Sequence, residues 1–309
     1  MNKLSSSRTL KSSVKVLLVF MTLYGCNTNE LGPGVLVLDP PPVSTSLTNV
    51  TAWTWDTITI PPYSYPDGVA FGPGLFINTA YDTMGVSIAG DRMKFDLNPI
   101  EPVPPAGSAS PHNYRSEIHT DPWQINHPLG TEQWIGWRYY FSADYVIDPT
   151  SPITIFQNHP GIGGLSPILE LEIAGLDDPS PAQGGEIQVV NVNDRIIYPV
   201  TPLAGQSLDV VIHIVYGLGD GGLTQVWLNE QLYHDKIEQT VLADYPWGGN
   251  NKWGIYHHTF KNSPADVQAS INAGAGFVKL DMGTLRMITR VPGHPEYKLD
   301  AYDLVKPGQ

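Results

Sequence analysis

One run near the middle of the chain, Leu208-Asp209-Val210-Val211-Ile212-His213-Ile214-Val215-Tyr216, is rich in β-branched residues and is typical of a β-strand. Comparable runs occur on both sides of it, at 114–119, 134–142, 153–159, 168–173, 187–192, 225–233, 253–260 and 276–288. Turn residues separate these runs, Asn229-Glu230 reads as a hairpin turn, and only 263–269 reads as a short helix. Short strands at this spacing, without helices between them, predict an all-β sandwich or barrel.

The composition also favours a many-stranded fold. The 309 residues include 30 Gly, 28 Pro, 15 Tyr and 8 Trp, and only 15% of them are charged. A chain of this length buries roughly three quarters of its unfolded surface, so it needs no disulfide to be stable. Cys26 is its only cysteine. We expect a single domain over residues 51–309.

The N-terminal segment reads as an export signal followed by a tether. Four basic residues lie within the first 15 positions, and the apolar run 14–23 leads into Leu23-Tyr24-Gly25-Cys26, which resembles a bacterial lipobox. The run is too short to span a bilayer. We expect residues 1–26 to be a lipoprotein signal, Cys26 to be lipidated and residues 27–50 to be a flexible tether. This predicts a bacterial outer-membrane, cell-surface or secreted protein; an ordinary cleaved signal peptide is the alternative.

The charge balance limits the partners. The chain carries 17 Lys and Arg against 30 Asp and Glu, a formal net charge of −13. Without the four basic residues of the leader, 13 cations face 30 anions, a net charge of −17. An acidic surface argues against nucleic acid as a partner. An anionic ligand requires the few cations to be concentrated in one groove. We expect a monomer that meets the membrane only through its lipid.

Three of the predicted strands carry hydrogen-bonding side chains two residues apart, which project from one face of each strand. A solvated face normally carries Thr, Ser, Lys and Glu, whereas these faces carry other groups. They are Asn113, Arg115, Glu117 and His119 on the first strand, Gln157 and His159 on the second, and Lys252, Tyr256 and His258 on the third. If the three strands are neighbours, this face forms the floor of a groove. Gly254, between Lys252 and Tyr256, marks a close approach of a ligand or of backbone.

These residue types suit the removal of a proton next to a carboxylate. Arg115, Gln157 and Asn113 can bond a carboxylate, which stabilises the enolate-like intermediate that proton removal creates. His159 is the natural base, because its ordinary pKa lies near neutrality. Tyr256 is the natural acid for the leaving oxygen, or takes both roles with help from His159. The chemistry that fits is β-elimination on a uronic acid.

The same strands resemble the jelly-roll polysaccharide lyases, especially the heparin lyase I-like and glucuronan lyase group and, more distantly, the alginate lyases. Arg115-Ser116-Glu117-Ile118 resembles their R-[ST]-E-L strand, Gln157-Asn158-His159 their Q-x-H strand, and 252–256 the K-x-G-I-Y strand of the heparin lyase-like group. The aromatic run 134–141 resembles the W-x-G-x-x-Y-x-F strand of that group. The three site motifs keep the family order, and the resemblance covers roughly 53–297.

The resemblance implies a β-jelly-roll sandwich of two antiparallel sheets with a concave substrate groove. It implies that Arg115 and Gln157 neutralise the substrate carboxylate while His159 and Tyr256 transfer protons. The substrate is then an anionic polysaccharide of the glucuronan, ulvan or alginate type, and a glucuronate-containing glycan is favoured because 252–256 looks more like that group. Asn158 and His257-His258 depart from the alginate lyase motifs and count against alginate.

The side chains expected to bind substrate are Asn113, Glu117, Lys252, His258, Trp137 and Tyr139. For the aromatic pair the alternative is core packing. Arg115 with Glu117 is otherwise a structural ion pair, His159 a turn residue, and Tyr256 a core tyrosine. We expect no required cofactor and no catalytic metal; the acidic loop at Asp177-Asp178 is a weak candidate for structural Ca²⁺.

Two other functions fit parts of the pattern. A glycan-binding jelly roll would use the same groove without proton transfer. A glycoside hydrolase of sandwich fold would use Glu170 and Glu172 as its carboxylate pair, although Glu-Leu-Glu in a strand is usually a solvated edge. New reducing ends without a double bond would indicate the hydrolase.

Overall fold

The computed structural model describes residues 49–62, 67–79, 85–100, 114–120, 127–162, 164–175, 184–261 and 263–308. The predicted leader with Cys26, nearly all of the tether, Asn113 and Asp177-Asp178 lie outside these residues. What was expected of them stays a prediction. Among the described residues, no helix is long and apolar enough to cross a bilayer.

Strands are the main regular structure of the described chain. Its strands are β1 (Thr51–Trp53), β2 (Asp67–Phe71), β3 (Leu75–Thr79), β4 (Val86–Ala89), β5 (Arg92–Leu97), β6 (Arg115–Thr120), β7 (Glu132–Phe141), β8 (Ile153–His159), β9 (Leu169–Ile173), β10 (Ile187–Asn191), β11 (Arg195–Tyr198), β12 (Ser207–Val215), β13 (Leu223–Leu228), β14 (Gln231–Ile237), β15 (Asn250–Tyr256), β16 (Val278–Met282) and β17 (Leu285–Arg290). Two short α-helices are α1 (Pro264–Asn272) and α2 (Tyr302–Val305), and 3₁₀ turns occupy Trp55–Thr57, Gly219–Gly221 and His258–Lys261.

Within the described residues these strands form two antiparallel sheets. Sheet I runs β14-β13-β12-β7-β16-β5-β4, with β17 also paired to β7 and β1 to β17. Sheet II runs β11-β10-β9-β8-β15-β6-β3-β2. The inner faces of the two sheets enclose a continuous apolar core. The predicted jelly-roll sandwich is confirmed.

Most of the predicted strands are confirmed, with differences at their ends. The strand at 153–159 has the predicted bounds, and Asn229-Glu230 forms the hairpin turn with φ values of 48° and 69°. The predicted strand 253–260 ends earlier, at Tyr256, because the chain then turns into a 3₁₀ helix. The predicted strand 276–288 is two strands, β16 and β17, separated at Gly283-Thr284 but both paired with β7.

Aromatic side chains fill the centre of the core. Trp137 of β7 lies 5.2 Å from Phe156 and 6.2 Å from Trp253, measured between ring centroids, and all three are buried. The hydroxyl of Tyr139 donates to the carbonyl of Ile155 at 2.5 Å. The predicted contact of Trp137 and Tyr139 with a substrate is therefore wrong: strand alternation turns both toward sheet II, and their core alternative is correct.

A buried polar network joins the two sheets at one end of the core. Asn158 of β8 donates to the Tyr216 hydroxyl at 2.8 Å and to Oδ1 of Asn251 at 2.7 Å. Tyr216 donates to Oε1 of Gln133 at 2.7 Å, and Asn251 donates to the same oxygen at 3.0 Å. The alginate lyases usually have an aliphatic residue at the position of Asn158. Here the side chain lies on the inner face of sheet II, where its hydrogen bonds to other protein groups account for the difference.

The network generates a prediction about stability. Replacing Asn158 with Leu, an aliphatic residue of the kind expected there in the alginate lyases, keeps the number and branching of the side-chain heavy atoms but leaves buried partners unsatisfied. The free energy of unfolding should fall by about 2 to 3 kcal/mol, the cost of buried groups that lose their hydrogen bonds. Urea unfolding measures this, with the exposed Asn193→Leu as the control. Equal stability of Asn158→Leu and wild type would show that the network contributes nothing.

Candidate active site

Three neighbouring strands carry the predicted site residues. β15 lies between β6 and β8 in sheet II, so the three motifs, far apart in the chain, are adjacent in space. Tyr256 pairs with Arg115, and Lys252 pairs with Gln157. Trp253 and Ile255 of the same strand lie in the core, so these polar residues point away from sheet I. We call this surface the outer face of sheet II.

Glu117 ties two of the predicted residues together. Its Oε1 accepts a hydrogen bond from Nε2 of Gln157 at 2.6 Å, and its Oε2 lies 3.4 Å from Nη1 of Arg115. Glu117 is 1% exposed and Gln157 is 2% exposed, whereas Arg115 is half-buried. A carboxylate this buried must be paired to remain charged. Glu117 therefore positions Arg115 and Gln157.

Gly254 is the residue of β15 that pairs with Glu117, and at this position β15 closely approaches β6. Its φ of 134° is one that glycine adopts readily, and the β15–β8 register shifts between Trp253 and Tyr256. A Cβ at this position would lie 2.2 Å from the carbonyl oxygen of Ser116. The close approach predicted at Gly254 is thus one of backbone to backbone.

Tyr256 is held against Arg115. The guanidinium carbon of Arg115 lies 4.3 Å from the centroid of the Tyr256 ring, a cation–π contact. Burial raises the pKa of the Tyr256 hydroxyl, and the positive charge of Arg115 acts in the opposite direction. Tyr256 is half-buried, so its ring is not the core tyrosine of the simpler interpretation. The phenol sits beside the cation that would stabilise its ionised form.

His159 ends β8 on the same face but is engaged by the following turn. Its Nδ1 accepts the backbone N–H of Gly161 at 2.9 Å, which assigns the proton of the neutral ring to Nε2. Burial and the charges of Lys252 and Arg115 lower the pKa of His159 to about 3. His159 is therefore neutral at pH 7. It bonds the turn that follows β8, as the simpler interpretation expected, and it also lies close enough to Lys252 and Arg115 to be affected by their charges.

Lys252 and His258 complete the described part of the predicted substrate-binding set. Lys252 is 1% exposed, so its charge acts from within the floor of the face. His258 follows β15 with its ring centroid 6.1 Å from that of Tyr256, and burial lowers its pKa to about 4. His257 points inward, where its Nε2 bonds Asp148 at 3.0 Å. Contact of Lys252, His258 and Glu117 with a substrate stays a prediction.

The sequence analysis did not predict the burial of two carboxylates on β9, which it expected to form a solvated edge. Glu170 pairs with Gln157, and Glu172 pairs with Thr154, so both lie on the outer face of sheet II. Glu172 is buried rather than solvated, and Gln188 donates to it at 2.9 Å. Burial, with the charges of Glu172 and Glu117, raises the pKa of Glu170 to about 8. Their spacing of two residues signalled a shared face, but not burial.

Other candidate sites fit the predicted chemistry less well. Among the described residues no group of three or more His, Cys, Asp or Glu side chains is arranged to hold a metal ion. A cleft of about 490 Å³ opens on the outer face of sheet I, beside Trp134, His213 and Trp227. In it, His213 is bonded on both ring nitrogens, by Gln225 and Glu132, which leaves it no free lone pair for catalysis.

Comparisons with solved structures find remote likenesses. The endo-β-1,4-glucuronan lyase of Trichoderma reesei is 16% identical over 83% of this chain and 100% of its own, with a TM-score of 0.47. The alginate lyase Aly36B is 12% identical over 78% and 97%, with a TM-score of 0.47. The alginate lyase PA1167 of Pseudomonas aeruginosa is 16% identical over 68% and 88%, with a TM-score of 0.46. Likenesses this remote give no substrate.

The family is established by sequence. No curated protein matches the chain. The family model described as polysaccharide lyase matches residues 83–271, which is more than half of the chain and includes all three site strands. The predicted resemblance is confirmed at this level: the chain belongs to the polysaccharide lyase family.

Proposed function

We propose that this protein cleaves a uronic-acid-containing polysaccharide of the glucuronan, ulvan or alginate type by β-elimination, with glucuronan or a related glucuronate-containing glycan as the favoured substrate. The observation that carries the proposal is that Arg115, Gln157, His159 and Tyr256 lie on one face of three adjacent strands of sheet II, with Arg115 and Gln157 joined through the buried Glu117. A glycan-binding module needs hydrogen-bonding groups, but it does not need a phenol held against a guanidinium.

Arg115 and Gln157 serve the first step. The proton on C5 of a uronate is weakly acidic, and its removal places charge on the neighbouring carboxylate. A guanidinium and an amide N–H that bond this carboxylate stabilise the charge as it develops. Glu117 holds both donors in place before substrate arrives, which reduces the reorganisation that the reaction requires. The amide nitrogen of Gln157 carries two hydrogens. One is donated to Glu117, and in the proposed mechanism the other bonds the substrate carboxylate.

Tyr256 serves the proton transfers. As phenolate it takes the proton from C5; the C4–C5 double bond forms while the C4–O4 bond breaks. The regenerated phenol then protonates O4 of the leaving sugar. His159 is the weaker base here, because the Gly161 N–H occupies its Nδ1 lone pair and Nε2 carries the proton. We infer a syn course, with Tyr256 in both roles and His159, which is also hydrogen-bonded to the Leu165 backbone, assisting it.

We further propose the setting in which this reaction takes place. The protein is exported, anchored through lipid at Cys26 or released, and acts as a monomer without a required cofactor or metal. The lipobox-like segment and the tether composition support export. The overall acidity also supports a narrow binding face, since most of the surface repels a polyanion.

The reaction class has a direct assay. Incubation with glucuronan should produce the ultraviolet absorbance of a conjugated 4,5-unsaturated uronate, with smaller rates on ulvan and alginate. Reducing ends are measured in parallel. Reducing ends without absorbance would identify a hydrolase, and binding without either product would identify a glycan-binding module. Either outcome would overturn the lyase proposal.

The assignment of both proton transfers to Tyr256 is tested by two variants. Tyr256→Phe should lower kcat by about 10³-fold, within the range for loss of a general acid–base group. His159→Gln keeps a hydrogen-bond donor and should retain more than a tenth of wild-type kcat. Thermal unfolding confirms that both variants fold. If His159→Gln loses as much as Tyr256→Phe, the base is His159 and the single-tyrosine mechanism is wrong.

The positioning role of Glu117 gives a separate prediction. Glu117→Gln removes the charge that pairs with Arg115, so Arg115 and Gln157 lose their fixed orientation. We expect kcat to fall about 10²-fold, typical of lost preorganisation, while KM changes little. Glu230→Gln, which removes one charge from the exposed β13–β14 turn, is the control and should be unchanged. An equal kcat for Glu117→Gln and wild type would show that positioning by Glu117 is unnecessary.

A further inference from the structure

The outer face of sheet II contains more carboxylates than a binding face for a polyanion should tolerate. Glu117, Glu170 and Glu172 lie on two strands, β6 and β9, of the same face. Like charges on a common buried surface cannot all ionise unless each has a partner. The distribution of cations among the three therefore decides which carboxyl keeps its proton.

Two of the three carboxylates have cationic partners. Glu117 faces Arg115 at 3.4 Å, and Glu172 faces Nη2 of Arg195 at 3.4 Å. Glu172 also accepts a hydrogen bond from Gln188. In the described part of the chain no Lys, Arg or His nitrogen lies within ion-pair distance of Glu170. Glu170 is also the most exposed of the three, being half-buried where the others are buried.

Glu170 stands next to the proposed reaction centre. Its strand neighbour on one side is Gln157, which we assign to the substrate carboxylate, and on the other side Val190 of β10. Adjacent strands are about 4.8 Å apart, so a polysaccharide chain lying across the strands has its next sugar over β9 when a uronate occupies Gln157. The titratable and polar groups that surround Glu170 are Thr154 and Gln157 from β8, Glu172 from β9, Gln188 from β10, Arg195 from β11 and Glu117 from β6.

We propose, resting on the proposed lyase function, that Glu170 is a specificity-determining residue: it hydrogen bonds a hydroxyl of the sugar next to the reacting uronate and disfavours a carboxylate there once it ionises. While protonated, it tolerates a polyuronate as well as a chain in which the uronate has an uncharged neighbour. Ionised, it repels the second carboxylate of a polyuronate and leaves the uncharged neighbour unaffected. The pKa of about 8 places this change just above neutrality.

The direction with pH follows from the raised pKa. Below about pH 8 Glu170 is protonated and neutral, and above it Glu170 is an anion. Polyuronate binding should therefore weaken as pH rises through 8. His159 and His258 do not interfere, because their lowered pKa values of about 3 and about 4 keep both neutral throughout this range.

The test measures binding in the Tyr256→Phe background, where cleavage and titration of that phenol are removed. The probes are a glucuronate hexasaccharide and the same hexasaccharide with every second carboxyl reduced to the neutral sugar, each titrated calorimetrically at pH 6.5 and pH 9. We expect the Kd of the first to rise about tenfold between the two pH values, the order expected for like charges across a half-buried contact. The Kd of the second should change less than twofold.

Glu170→Gln added to this background should remove the pH dependence of the first probe, and Glu230→Gln should leave it in place. An unchanged pH dependence in Glu170→Gln, or an equal pH dependence for both probes, would overturn the assignment while leaving the lyase proposal intact. Absence of binding for both probes at both pH values, together with no absorbance on glucuronan, would instead reject the lyase function itself.

Discussion

The hydrogen bond between Glu117 and Gln157 is the constraint around which the rest of the outer face is arranged. It joins β6 to β8 across the intervening strand, at the point where Gly254 contributes no side chain. Glu117 is 1% exposed, and removing its carboxylate from water costs several kcal/mol. This cost must be offset by partners that the fold holds in place. Arg115 is the second partner, and its guanidinium then reaches over the ring of Tyr256. One buried charge thus helps to fix the positions of three side chains of the proposed site.

This arrangement also accounts for how an acidic protein presents a cationic spot. With a formal net charge of −13, the protein as a whole repels anions at long range. Close to the face, Arg115 and the buried Lys252 supply charge that solvent screens weakly. Their effect is visible in His159, whose pKa both of them lower. Attraction for the uronate of the proposed function is therefore expected to be short-range and confined to the strands that carry these two cations.

The sequence predicted the parts of the site that depend on strand alternation. A period of two placed Arg115 with Glu117, and Gln157 with His159, on common faces, and the structure retains both pairings. The adjacency of β6, β15 and β8 depends on non-local pairing, which the family resemblance suggested and local pattern does not encode. Trp137 and Tyr139 were assigned to the wrong face. Alternation divides the side chains of a strand between two faces, but it does not say which face is turned toward the core. Burial of Glu172 likewise depends on β10 and β11, whose side chains approach it only in the folded sheet.

The division between the faces also changes what the departures from the alginate lyase motifs mean. Asn158 and His257 both point into the protein, where one joins the two sheets and the other bonds Asp148. Neither meets a sugar, so neither bears on the substrate. Of these departures, His258 is the one that lies beside Tyr256 on the outer face. Under the proposed function, discrimination among uronates is therefore expected from the outer face, where Glu170 of β9 lies next to Gln157.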